Sequence, residues 1–190
     1  GRLIYALNFA KNTKRPNLVL VEGNIDVITL HQAGFDNVVA TMGTALTEDH
    51  ARILARYTKE LVLCYDNDAA GKQSTDRVLN LLKNADLAVR VHQLPNAYDS
   101  EGKPVKQDPD DFVKKFGPAA FEKCLSGSAG QNDYRLESTQ QKYDLSAEEG
   151  RLAYLKEAVA AVAAPQTPVQ REIYGNKAPA SARVSRGGLG

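Results

Sequence analysis

The chain has 190 residues, a formal net charge of +1, two cysteines and three histidines, enough length for one good hydrophobic core and a small appendage. The near-neutral charge excludes neither nucleic acid nor another partner, because acidic clusters can offset basic ones elsewhere. Cys64 and Cys124 stand far apart and His31, His50 and His92 are scattered, so no zinc pattern exists, and no apolar run is long enough to cross a bilayer.

Residues 3–11 carry Leu3, Leu7 and Ala10 at helical spacing and are predicted to form an amphipathic helix ending before a basic turn. Residues 18–21 are a short β-branched run, the pattern of a fully buried strand. Asn24 is the expected N-cap of a helix with Ile25, Ile28, Thr29 and Leu30 on one side, closed by Gly34. Asp26 falls in the first turn of that helix, facing the strand end. Residues 38–41 give a second strand, and Thr47 with Glu48 and Asp49 starts a helix running to about residue 57. Residues 61–65 are the third strand. Residues 69–85 form a strongly periodic helix with Val78, Leu79, Leu81 and Leu82 inward. Residues 87–94 read as a fourth strand alternating Val89, Val91 and Gln93 against Arg90 and His92.

The polar stretch 96–107 is predicted to be an exposed loop that delivers Asp108, followed by Pro109 at the first position of a helix. Residues 126–130, Ser-Gly-Ser-Ala-Gly, mark an expected boundary. Beyond it residues 134–143, 147–163 and 169–174 look helical, the second with Leu152, Leu155, Val159 and Val162 as an apolar stripe, and residues 178–190 read as a disordered tail. Strands alternating with helices define the class: α/β, a mainly parallel sheet flanked by helices, followed by a small α-helical bundle.

Three acidic motifs lie along this framework: Glu22 and Asp26 in VEGNIDV, Asp66 and Asp68 in YDNDAAGK, and Asp108, Asp110 and Asp111 in DPDDF. The first two follow buried strands, and open α/β sheets place their sites at such strand ends. Carboxylates converging without a cation repel one another, so the cluster calls for Mg²⁺ or Mn²⁺, which take oxygen ligands. Each motif has an ordinary alternative. Glu22 could sit at a plain strand-to-helix turn, and Asp68 could simply cap the helix that begins at Ala69. Two cations held there would orient a triphosphate or phosphodiester for in-line displacement, and no serine triad, cysteine nucleophile or histidine base stands nearby, so phosphoryl or nucleotidyl transfer is the expected chemistry. Lys72, one turn beyond the paired aspartates, is a candidate phosphate contact, though most such lysines are solvated. Arg52, Arg56 and Lys59 read as a solvated face.

VEGNIDVITLHQAGFDNVVATMGTALT, CYDNDAAGK and DPDDF together resemble the TOPRIM module of bacterial replicative primases of the DnaG type, over most of residues 3–174. HQAGFDNVVATMGTALT is the specific part, because the shorter acidic motifs are shared with type IA and type II topoisomerases and with TOPRIM nucleases. YDLSAEEGRLAYLKE and PVQREIY resemble the helical bundle that follows the module. The resemblance implies residues 1–16 as the end of a preceding subdomain, 17–126 as the TOPRIM metal-binding domain and 127–177 as the helical subdomain. It implies synthesis of short RNA primers on a single-stranded DNA template from nucleoside triphosphates, with Glu22, Asp66 and Asp68 as metal-binding acids. Asp26, Asp108 and Asp110 would support a second cation or its waters, and Glu22 could instead serve as a general acid or base. It further implies a guanosine alarmone as an inhibitor at the same site and a place in the bacterial cytoplasm at the replication fork. A zinc ribbon, a basic subdomain and a helicase-binding domain are expected outside this chain, whose lone methionine is Met42 and which opens Gly1-Arg2, as a fragment would. Asn24 departs from the family's aromatic or apolar residue, and loop 96–107 is longer than in many members. The rival readings are a TOPRIM nuclease using the same metals and a module that is idle when isolated.

Overall fold

The computed structural model describes residues 3–41 and 45–162. Its sheet grows outward from strands that are apolar on both faces. β2 (Leu18–Val21), β3 (Val38–Thr41), β4 (Glu60–Leu63) and β5 (Ala88–Val91) run parallel in the order β3-β2-β4-β5. Every residue of β2, β3 and β4 is buried, as expected of strands with helices on both sides.

Period-two alternation divides the core. Leu18, Leu20, Val39, Leu61, Leu63, Val89 and Val91 face one way, against Ala51 and Leu54 of α3 (Glu48–Leu54) and Val78 and Leu79 of α4 (Ala69–Leu81). Tyr134 of α7 (Gln131–Gln140) completes that layer. Val19, Val21, Val38, Ala40, Val62 and Cys64 face the other way. They meet Val27 and Leu30 of α2 (Asn24–Gln32), Phe112 and Val113 of α5 (Pro109–Phe116) and Phe121 of α6 (Pro118–Ser126). Phe121 is fully buried, edge-on to Phe35 at 5.0 Å and to His92 at 5.9 Å.

Several local expectations are revised. The helix expected over residues 3–11 is replaced by β1 (Ile4–Tyr5), which pairs antiparallel with β3, and by a single turn, α1 (Leu7–Ala10). Ala6, at φ 63°, makes the corner between them, a left-handed conformation uncommon outside glycine. The cap of α2 is Gly23 and not Asn24, and Ile25 and Ile28 point outward while Asp26, Val27 and Leu30 point in. His92 is buried, because α6 covers the face of the sheet to which it points.

Loop 96–107 contains a hairpin of β6 (Ala97–Tyr98) and β7 (Pro104–Val105). Within the boundary expected at residues 126–130, β8 (Ala129–Gly130) adds an antiparallel edge strand to β5. α7 then packs on α8 (Glu148–Val162), but Leu152, Leu155 and Val159 of the expected stripe are exposed, and among the helix residues whose side chains are described Ala158 is the buried one. The helix expected at 169–174 and the tail at 178–190 lie outside the described residues.

Candidate functional site

The chain leaves β2 through α2 toward β3 and leaves β4 through α4 toward β5, so the connections from two adjacent parallel strands diverge. A crevice opens outside the carboxyl ends of such a pair. Glu22 is the first residue past β2, and Asp66 and Asp68 follow β4.

Partial burial and the Asp66 charge push the Glu22 carboxyl above its ordinary value, with Asp68 adding to the effect. Asp68 is also the N-cap of α4, its Oδ1 accepting the Gly71 N–H at 2.7 Å. Cap and site acid are therefore the same residue. Gly71 is required there, because a Cβ at that position would run into the Asp66 carbonyl. The first turn of α4 thus rests directly on the backbone that carries Asp66.

Lys106, just past β7, is the cation in this site. Its Nζ lies 2.6 Å from Asp66 Oδ2, and that hydrogen bond, with the charges of Asp66, Asp68 and Glu22, pushes its pKa up. Sequence reading missed it. Its only signal was a lysine near DPDDF, and what gives it meaning is the way loop 96–107 folds back onto residue 67.

The remaining predicted acids gather on a neighbouring shelf. Asp26 accepts the Gly23 N–H and the Asp110 N–H, each at 3.1 Å, through different carboxylate oxygens. Burial outweighs those two bonds and raises its pKa to about 6. Burial also acts on Asp110, but hydrogen bonds from Lys114 and Thr29 overcome it and hold this carboxyl below its usual value. Asp108 caps α5, accepting the Asp111 N–H at 2.8 Å.

Asp108, Asp110 and Asp111 are, among the described residues, the one set of three whose ligand atoms all lie within 4.8 Å of one another. Glu22, Asp66 and Asp68 do not close to that spacing. Among the described residues the two sets are committed alike: Asp108 caps α5 and Asp110 meets Lys114 at 2.6 Å, while Asp68 caps α4 and Asp66 meets Lys106 at 2.6 Å. What sets Glu22, Asp66 and Asp68 apart is their place at the strand ends, where burial and the Asp66 charge raise the Glu22 carboxyl, and their all-oxygen donor set fits a hard divalent cation.

Beside Glu22 a pocket of about 340 Å³ is lined by Thr41, Tyr65, Ser74 and Arg77 among others. Ser74 and Arg77 sit one turn apart on α4, a second pair that sequence reading passed over. Lys72 is exposed on α4, and Arg52 pairs with Glu48 and Asp49 on its own helix.

A family model described as Toprim-like matches residues 19–113, half of the 190-residue chain, and the chain belongs to that family. A model described as the DnaB-helicase binding domain of primase matches residues 133–178. A region so described therefore lies inside the chain, where the sequence had suggested that the helicase-binding part lay beyond it.

The DNA primase of Clostridium acetobutylicum is 36% identical over 175 residues, 92% of this chain and 28% of that protein. The DNA primase of Halalkalibacterium halodurans is 33% identical over 177 residues, with the same coverage of both chains. Among solved structures, a DnaG primase catalytic domain bound to ssDNA superposes with a TM-score of 0.71 at 29% identity, covering 93% of this chain and 56% of that one. A DNA primase domain from Pseudomonas aeruginosa gives a TM-score of 0.71 at 28% identity, covering 92% and 53%. Within its family the chain thus groups with the bacterial DnaG-type primases, and it spans about 28% of the length of those curated relatives.

Proposed function

We propose that this chain is the metal- and nucleotide-binding part of a DNA primase, a nucleotidyltransferase that builds short RNA primers on single-stranded DNA. The observation that carries the reading is the switch-point crevice between β2 and β4, where Glu22, Asp66 and Asp68 share one ammonium between them. These three acids are the proposed holders of Mg²⁺ or Mn²⁺, and Asp26, Asp108 and Asp110 support a second cation or its waters from the adjoining shelf. Divalent cations bound there would supply charge neutralisation for the attacking and leaving oxygens of the transferred phosphoryl group.

The protein's own share is positional. β2 and β4 fix the separation of the acids, the cap at Asp68 locks one carboxylate rotamer, and Gly71 lets α4 seat against Asp66. Glu22, with its raised pKa, is placed either to ligate or to move a proton. A nucleoside triphosphate would use the pocket beside Glu22, with Arg77 in its wall available to the phosphates; Lys72, exposed on the same helix, lies outside that lining and would meet only phosphates that extend past it. A guanosine alarmone would compete for that place. Single-stranded DNA and the replicative helicase are the proposed macromolecular partners, the helicase through the region beginning at residue 133, and the proposed location is the bacterial cytoplasm at the replication fork. No helix among the described residues is long and apolar enough to cross a membrane.

The test is a calorimetric titration of Mn²⁺ into the wild type and into Asp66→Asn, with and without a nucleoside triphosphate, alongside ribonucleotide incorporation on a single-stranded template. Binding that Asp66→Asn abolishes and nucleotide strengthens is the expected result. Template cleavage without incorporation would replace the primase reading with a nuclease.

A further inference from the structure

Lys106 reaches the site on an unusual support. The β6–β7 hairpin is folded on itself, with Asp99 accepting the backbone N–H groups of Glu101 and Lys103 at 2.9 Å each. Both of its ends are fastened to one residue: Asn67 donates its backbone N–H to Gln107 at 3.1 Å and its side-chain amide to Pro95 O at 3.1 Å and Asn96 Oδ1 at 3.0 Å. Asn67 is the residue between Asp66 and Asp68. The hairpin is thus pinned to the middle of the acidic motif, and the lysine at its exit is held over Asp66. The Asp66 side chain is 11% exposed, so few water molecules share it, while the lysine side chain is 56% exposed and free to leave.

We propose that Lys106 is an exchangeable counter-ion: its ammonium and a divalent cation are alternative occupants of the Asp66 carboxylate, so metal loading and release of the hairpin's lysine are one linked equilibrium. The proposal rests on the metal reading of the site given above and adds a residue that sets its affinity. The reasoning is electrostatic and steric. A hard cation binds carboxylate oxygen at about 2.0–2.6 Å, and an ammonium 2.6 Å from the same oxygen would face it at a separation where like charges repel strongly. On Oδ2, the oxygen that holds the lysine, one of the two must leave. In the absence of metal the lysine reduces the repulsion among Glu22, Asp66 and Asp68. In its presence the lysine is a competitor whose displacement lowers the net affinity.

The experiment compares Mn²⁺ affinity, by calorimetry in low salt, for wild type, Lys106→Met, Lys106→Arg and Asn67→Ala. Lys106→Met is expected to bind Mn²⁺ roughly three- to fivefold more tightly, the range set by a partly exposed ion pair. Lys106→Arg keeps the counter-charge and stays near wild type. Asn67→Ala, which releases the Pro95–Asn96 end of the hairpin while the backbone bond to Gln107 remains, moves in the same direction as Lys106→Met by a smaller factor. The gap between Lys106→Met and wild type closes as salt is raised. Binding seen in Lys106→Met alone would support the exchange most strongly. Wild type that binds Mn²⁺ while Lys106→Met binds equally or more weakly overturns the exchange and leaves the metal site standing, whereas no binding by any of these proteins overturns both.

Discussion

Asp68 offers a perturbation in which the structural and chemical roles of one carboxylate separate. As the cap of α4 it accepts the Gly71 N–H at 2.7 Å, and as a site acid its charge raises the Glu22 pKa. Asn caps helices about as well as Asp, whereas Ala leaves the first-turn N–H groups without that acceptor at a cost of about 1 kcal/mol. Asp68→Asn should therefore leave metal-free stability within about 0.5 kcal/mol of wild type, since the cap survives and one like charge leaves the cluster. Asp68→Ala should lose about 1 kcal/mol. Both should fail to bind Mn²⁺. Urea denaturation without metal gives the first comparison and calorimetry the second. If Asn cost as much as Ala, or if Asn retained wild-type Mn²⁺ affinity, the assignment of two roles to this residue would be wrong.

Gly71→Ala should destabilise the protein by about 1–3 kcal/mol, the range for overpacking, and should weaken Mn²⁺ binding as well, because the added methyl pushes on the Asp66 backbone; unchanged denaturation and titration curves would contradict this. Phe121→Ala, at the meeting of Phe35, His92 and Phe112, should cost about 3–5 kcal/mol by denaturation. Acid titration should expose two opposing groups. Burial, with the Arg90 charge, lowers the His92 pKa from 6.5 to about 4, so the unfolded chain takes its proton first and stability is lost as pH falls through that window, by up to about 3 kcal/mol. Burial raises the Asp26 pKa from 3.8 to about 6, so the folded state takes that proton first and up to about 3 kcal/mol is gained as pH falls from 6 toward 4. Relative to wild type, His92→Leu should gain stability on acidification and Asp26→Asn should lose it. Urea midpoints measured from pH 7 to pH 4 check this, and three parallel profiles would refute the sign of both effects.

What could be read from the sequence was what local chemistry determines. β2 and β4 are apolar on both faces, so their runs identify them without knowledge of their neighbours. Thr47, Asp68 and Asp108 announce their helices because an N-cap is a contact within three residues, and all three make that contact. The errors lie where distant chain decides. Leu3, Leu7 and Ala10 have helical spacing, yet pairing of Ile4 and Tyr5 with Thr41 and Ala40 on the far side of α2 makes the start of that stretch a strand. His92 has the alternation of an outward position, and Phe121 from α6 turns that position inward. Ala129 and Gly130, in a run that reads as a linker, find an open edge at β5. At the proposed site, motif and strand ends single out Glu22, Asp66 and Asp68 as candidates, but nothing in the sequence singles out Lys106. Its place depends on a hairpin closed by three hydrogen bonds from Asn67, and no periodicity records that.

Diffraction from crystals grown with Mn²⁺, using the anomalous signal of the ion, tests the central claim most directly. The account predicts a peak coordinated by the carboxylates of Asp66 and Glu22 or Asp68, with the Lys106 ammonium withdrawn from Asp66. A peak confined to Asp108, Asp110 and Asp111, with Lys106 still on Asp66, would contradict it.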